Sequence, residues 1–339
     1  MKHPSLKPHW VWLALIAACL SSAMASDKAQ VTRYHRVHPQ MGTTFEITLY
    51  ATTDAQAEKA FEAAIKTLDD LNACMSDYVA TSELSQLSAS SGDGTSQKVS
   101  DRLWQVLSTA QTFSKQTQGA FDVTIGPLTR LWRQTRRHGN LPTSEKLAQT
   151  LAHSGYQHLM LDADTQSIRL TASGMRLDLG GIAKGYAVDQ ALKAISEQGI
   201  AEALVNGGGD LRGMGRPWKV SLKDLNASDT RTLTLHDWSA ATSGDLHKSI
   251  IINGREFSHL INPRTGLGLE YRRSVTVLAP DCMTADALAS ALSILPTDDA
   301  IRLLVQHYPK CSAKIITKNA KHHLEETVIG DFHQHFSGR

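Results

Sequence analysis

What most restricts the fold is a repeated change of hydrophobic period. Residues 44–50 (TFEITLY) alternate apolar and polar, which sets Phe45, Ile47 and Leu49 on one side of a half-buried strand. From Asp54, which the pattern offers as an N-cap, Ala57, Phe61, Ala64, Ile65, Leu68 and Leu71 recur at helical spacing. The same change recurs downstream. A Ser/Gly-rich loop at 85–98 precedes a helix capped by Ser100, and 119–127 (GAFDVTIGP) follows as a loop with a short strand. Residues 158–170 and 249–261 pattern as hairpins, the second around Asn253-Gly254, a pair suited to a type I′ turn. Single strands are expected at 175–179, 218–222, 232–235 and 273–280. Helices are expected at 182–198, at 284–295 behind a Thr284 cap, and at 300–308. Hairpins mixed with lone crossovers predict an α+β fold, with mixed and antiparallel sheets and flanking helices, and not a doubly wound parallel sheet.

Composition bounds the function. The 339 residues, 41% hydrophobic and 20% charged with net charge +2, describe a globular chain of one large or two medium domains. The one basic cluster, RQTRRH (133–138), is too small for a nucleic-acid groove and is expected to be a solvated surface segment. Lys2 and Lys7, the apolar run 10–20 and the small-x-small Ala23-Met24-Ala25 form an export signal over residues 1–25. Ile16-Ala17-Ala18-Cys19 offers a second reading, a lipoprotein signal over 1–18 with Cys19 lipidated; either way the chain works outside the cytoplasm. Cys74, Cys282 and Cys311 contain no C-x-x-C pair, so neither a disulfide scaffold nor a cysteine metal site is implied. The histidines of the tail at 321–339 lack the i, i+4 placing of a zinc helix.

Four features carry chemistry, and each alone has a plain structural explanation. LDLGGIAKGYAVDQ (177–190) joins a strand to a helix through Gly180-Gly181, yet it matches neither G-x-x-x-x-G-K-[ST] nor G-x-G-x-x-G. A tight turn accounts for the glycines; Lys184, in the first helical turn, opposes the helix dipole and so asks for an anionic partner. Asp286 and Ser290 stand at i and i+4, where a carboxylate and a hydroxyl can be two hard oxygen ligands for Mg²⁺ or Ca²⁺, or a first-turn acid and a packing serine. Asn206-Gly207-Gly208-Gly209-Asp210 is a flexible turn with the same two readings, and His259 in HLINPRTG sits at a strand end before a proline turn.

Taken in order, MGTTFEITLY, SDYVATSELSQL, GAFDVT, LDLGGIAKGYAVD, NGGGDLRGMG, TSGDLHK, SHLINPRTG and TADALASAL resemble the ApbE family of bacterial flavin transferases, from Met41 to about Leu295. The resemblance implies one flavin transferase domain over about 30–320, T-fold-like, with FAD as substrate between two lobes and Mg²⁺ as cofactor. It implies transfer of FMN to a threonine or serine of an exported acceptor with an FMN-binding domain, a membrane redox subunit being typical, with release of AMP. By position, the metal ligands fall on the Gly181 carbonyl and the Asp286 and Ser290 side chains; flavin contacts fall on Met41, Tyr78, Gly119, Ala120, Phe121, Asp178, Lys184 and Ile261. His259 is the candidate general base.

The sequence departs from the family pattern at three of these places. Ser290 replaces the usual threonine, keeping the oxygen and losing the methyl that fixes its rotamer. Leu246 stands where tyrosine is common, and Asn262 where aspartate is usual, which removes a negative charge beside His259. Two other functions fit the same motifs: an FAD pyrophosphatase giving FMN and AMP, and an exported protein that binds FAD without chemistry.

Overall fold

In the computed structural model the structure describes residues 30–223, 230–244, 249–318 and 323–335. The export signal with Cys19, Leu246 and His322 lie outside the described residues.

The scaffold is an eight-stranded sheet whose spatial order is its chain order. Its strands are β1 (Thr32–Gln40), β2 (Thr43–Ala51), β3 (Glu202–Gly207), β4 (Asp210–Met214), β5 (Ser239–Gly244), β6 (Arg272–Ala279), β7 (Ser312–Lys318) and β8 (Leu324–Ile329), and each pairs antiparallel with the next. The helices are α1 (Asp54–Met75), α2 (Glu83–Ala89), α3 (Asp101–Gln116), α4 (Gly126–His138), α5 (Ser144–Leu151), α6 (Ala183–Glu197), α7 (Cys282–Ile294) and α8 (Thr297–His307). The α+β expectation therefore stands, and the single parallel pairing among the described residues is an isolated bridge, Ile125 to Arg176.

Strand alternation explains the layering. Ala241, Val275 and Val277 join the main core with residues of α1, α6 and α7. Their neighbours Ala240 and Leu278 point the other way, into a second core with Trp218, Val220, Leu233, Leu235 and Phe332, where the hairpin Trp218–Lys223/Thr230–Leu235 covers the sheet. A third cluster of Leu128, Trp132, Ile252, Phe257 and Ile261 ties α4 to the hairpin Ile250–Ile252/Arg255–Phe257. At the tip of that hairpin Asn253 (φ 52°) and Gly254 (φ 76°) are both left-handed, as a type I′ turn requires.

Several local expectations are corrected. Thr53, not Asp54, caps α1 by accepting from the Gln56 N–H at 3.2 Å, while Asp54 accepts from the Tyr34 hydroxyl at 2.6 Å. Part of the expected loop at 85–98 is helix α2: Ser82 caps it, and Leu84, Leu87 and Ser88 are buried, enough to outweigh a serine-rich composition. Residues 119–125 form no strand, because the Asp122 carboxylate gathers the Thr124 N–H and hydroxyl and the Tyr156 N–H into a loop. Residues 175–179 are not a ladder strand either; Leu177 donates to the Ser88 hydroxyl and Asp178 to the Val123 carbonyl. Helix α7 starts earlier than expected, with Asp281 and not Thr284 as the cap.

Candidate functional site

Helices α6 and α7 cross unusually closely, and glycine is the reason. A Cβ on Gly185 would lie 2.2 Å from the Cys282 carbonyl oxygen and 2.8 Å from Asp286 Cβ. With hydrogen there instead, the Gly185 N–H donates to Asp286 Oδ2 at 3.0 Å. Asp189, one turn further along α6, accepts from the N–H groups of Cys282 and Met283 (both 2.9 Å) and pairs with Arg212 at 2.7 Å. It thus ties down the start of α7, satisfying donors that a helix N-terminus leaves open. Gly181 meets α7 one turn later than Gly185 does: a Cβ there would stand 2.9 Å from Ser290 Oγ.

These contacts bring the separated motifs together. A cleft of about 500 Å³ is lined by Ala120, Phe121, Asp178, Gly181, Lys184, His259, Ile261, Asp286 and Ser290 among others. Three expected site residues are not among its lining. Gly119 faces an adjoining polar hollow with Tyr156 and Arg264. Tyr78 is 75% exposed and lies under the guanidinium of Arg133, 4.5 Å from its ring centroid; Arg133 itself lines the cleft. Met41 holds a left-handed backbone (φ 53°) in the β1–β2 turn, packed against the main core.

The partner of Lys184 is a pair of carboxylates. Its ammonium forms an ion pair with Asp210 and lies 3.4 Å from Asp286 Oδ2, with its side chain 28% exposed toward the cleft. Burial opposes the charge on Lys184, but Asp286 and Asp210 outweigh it and raise its pKa. Asp210 is pushed well above the usual carboxylate range by burial and by the Asp286 charge, against the pull of Lys184. Asp210 was legible only as the end of a glycine turn. That turn, left-handed at Gly208 and Gly209, delivers Asp210 to the start of β4.

A divalent cation fits this cluster. One ammonium facing two carboxylates leaves an excess negative charge when all are ionised, which would repel a diphosphate. The Gly181 carbonyl, the Asp286 carboxylate and the Ser290 hydroxyl are all hard oxygen donors of the kind Mg²⁺ takes. Among the described residues, Asp286 uses Oδ2 for its contacts with Gly185 and Lys184 and makes no hydrogen bond through Oδ1.

The expectation that residues 133–138 are all solvated is corrected at Arg133. It pairs with Asp77 at 3.1 Å and reaches Asp178 at 3.6 Å, and Asp178 in turn accepts the Gly180 N–H at 2.9 Å. Burial and the charge of Asp178 raise the pKa of Asp77. Helical spacing from Thr129, also in the cleft, was the signal that could have found Arg133. Asn262, where a charged neighbour of His259 was expected from the family, serves the loop: its side-chain oxygen accepts from the Arg264 N–H at 2.9 Å.

Solved structures share this architecture. A flavin transferase ApbE from Vibrio cholerae superposes with TM-score 0.81 at 28% identity, covering 90% of this chain and 100% of its own. The apo form of the Pseudomonas stutzeri flavinyl transferase ApbE, at 24% identity, repeats the fold with TM-score 0.79 over 92% of this chain and 100% of its own. The fold is that of an enzyme of the transferase class. The ApbE family profile matches residues 41–315, and the chain belongs to the ApbE family. Relatives named FAD:protein FMN transferase include one from Haemophilus influenzae, 32% identical over 309 residues (85% of this chain, 89% of the relative). Another, from Vibrio cholerae, is 32% identical over 296 residues (84% and 87%).

Proposed function

We propose that this protein is a Mg²⁺-dependent FAD:protein FMN transferase acting in the periplasm on an exported acceptor. The observation that carries the reading is the convergence of Gly181, Lys184, Asp286 and Ser290 with His259 in one cleft. The acceptor's threonine or serine oxygen attacks the phosphorus on the FMN side of the FAD diphosphate. The bond from that phosphorus to the bridging oxygen breaks, a phosphoester forms, and AMP leaves with the bridging oxygen.

Each residue has a task within its reach. Bound Mg²⁺ would supply Lewis-acid neutralisation of diphosphate charge; Gly181, Asp286 and Ser290 would hold it. Lys184, fixed by its two carboxylates, presents a cation whose position needs no reorganisation as charge builds on AMP. His259, half-buried in the cleft wall, takes the proton of the acceptor hydroxyl, a role typically worth about 10² to 10⁴ in rate. Ile261 and Phe121 give the flavin apolar cover, and Tyr78 beside the cleft offers a ring face for stacking.

The apolar run and small-x-small site of the N-terminal segment support export, and Ile16-Ala17-Ala18-Cys19 supports anchoring to the inner membrane through a lipid on Cys19. An acceptor with an FMN-binding domain, such as a membrane redox subunit, suits that location.

The test incubates the protein with FAD and Mg²⁺, with and without a domain carrying a candidate acceptor threonine. A mass gain on the acceptor equal to FMN is expected. Free FMN and AMP in the absence of acceptor would make the protein a pyrophosphatase, and intact FAD in both tubes would reject the enzymatic reading. His259→Ala with an unchanged rate would remove only the assignment of the base.

A further inference from the structure

Helix α4 carries more positive charge than the cleft uses. Its sequence, GPLTRLWRQTRRH, contains four arginines and a histidine and no acid. Leu128, Trp132 and Thr135 face inward. Arg130, Arg133 and Arg137, at i, i+3 and i+7, form a stripe on the opposite face, and Arg136 flanks it. Arg133 is neutralised by Asp77 and Asp178, but Arg130, Arg136 and Arg137 are exposed and have no carboxylate partner among the described residues. The helix dipole favours cations in the last turn, which explains Arg136 and Arg137 but not Arg130. Neighbouring like charges on one helix face repel, so the stripe is mildly destabilising as it stands.

Position gives the stripe its meaning. Thr129 and Arg133 of the same helix line the cleft, so the stripe runs outward from the cleft rim. Beside it stands Tyr78 (75% exposed), its ring under Arg133, and next in the chain is Val79 (38% exposed), an aromatic and an aliphatic side chain on open surface. Tyrosine and arginine are the residue types that dominate protein interfaces, and guanidinium groups match carboxylates in bidentate geometry.

Resting on the transferase reading, we propose that the Arg130–Arg136–Arg137 face docks an acidic segment of the acceptor protein and so brings its hydroxyl-bearing residue to the cleft. A protein substrate must cross this rim to deliver a hydroxyl inside. Charge complementarity at a rim acts through encounter rate and salt sensitivity.

The experiment uses the full chain and two fluorescent peptides of equal length, each with a central threonine, one flanked by Asp and Glu and the other by Asn and Gln. Binding is read by anisotropy at low and high salt. The acidic peptide is expected to bind about tenfold tighter at low salt, the sum of a few exposed ion pairs. The preference should shrink in high salt and vanish in the combined Arg130→Glu, Arg136→Glu, Arg137→Glu variant, with a combined Arg→Gln variant intermediate. Equal affinity for the two peptides, or an acidic preference that survives both variants, overturns the proposal. Binding that depends on the stripe but is seen only with phosphatidylglycerol vesicles overturns it too, by assigning the face to a membrane. Quenching of FAD fluorescence is followed in parallel and should be the same in wild type and variants. Its absence from all of them would defeat the flavin reading while leaving the peptide result standing.

Discussion

Gly185 and Asp286, 101 residues apart in the chain, touch through a backbone N–H to Oδ2 hydrogen bond of 3.0 Å. The contact exists because no side chain separates α6 from α7. Gly185→Ala would set a methyl against the Cys282 carbonyl, a backbone atom that cannot rotate away. The variant is expected to lose about 1–3 kcal/mol of stability by overpacking, read as a lower urea midpoint, together with weakened Mg²⁺ binding. An unchanged midpoint would mean the helices part without cost.

Asp189 accepts the first two amides of α7 and holds Arg212. Asp189→Ala strands those donors in a partly buried setting, so a loss of about 2–3 kcal/mol is expected in denaturant titrations. Asp189→Asn keeps one acceptor oxygen and should recover part of it.

Lys184 separates two roles that a simple binding picture would merge. Replacing it with methionine removes the cation beside Asp210 and Asp286, and calorimetry should show Mg²⁺ bound tighter, on the order of tenfold. FMN transfer should nonetheless fall, since the cation proposed to meet the diphosphate has gone. Weaker Mg²⁺ binding in this variant would contradict the assigned ligand set. Asp286→Ala, by contrast, should lose Mg²⁺ binding and transfer together.

The thiols offer a check that is independent of activity. Cys74, Cys282 and Cys311 are all free. Burial, reinforced by the Glu83 carboxylate that accepts from its Sγ, pushes Cys74 up to about 12, and burial pushes Cys311 up to about 12 as well. At pH 8 both should be alkylated far more slowly in the native protein than after unfolding. Because these pKa values are raised above the ordinary value of 9.0, the unfolded chain ionises first, and native stability should fall as pH rises from about 9 toward 12. Fast native labelling of Cys74 would contradict the burial argument.

How much was legible follows from what each feature depends on. Period and turn chemistry found both hairpins, the paired segments 218–222 and 232–235, strands β2 and β6, and helices α1, α3, α6, α7 and α8, because those signals are local; β1, β3, β4, β5, β7 and β8 and helices α4 and α5 went unassigned. Capping was misplaced by one to three residues at α1 and α7, where neighbouring Thr53 and Asp281 competed for the same role. Extended segments such as 175–179 were over-assigned because alternation reports a buried face, not a ladder partner. Within the site, the glycine pair, Lys184, Asp286 and Ser290 were visible as residue types and ambiguous as chemistry. Asp210 and Arg133 were hidden because their importance lies in distant partners: Asp210 in Lys184, and Arg133 in Asp77, Tyr78 and Asp178.

The in-order sheet sets a clock on activity. Each strand can be laid down beside the last, so the scaffold grows along the chain, yet Lys184 waits for Asp210 and both wait for Asp286 on α7. A chain emerging from synthesis therefore presents six of the eight strands before it presents α7. Until α7 arrives, Lys184 lacks its second carboxylate and the cleft lacks the wall that Asp286 and Ser290 supply, so the cleft is complete only when nearly the whole chain is in place.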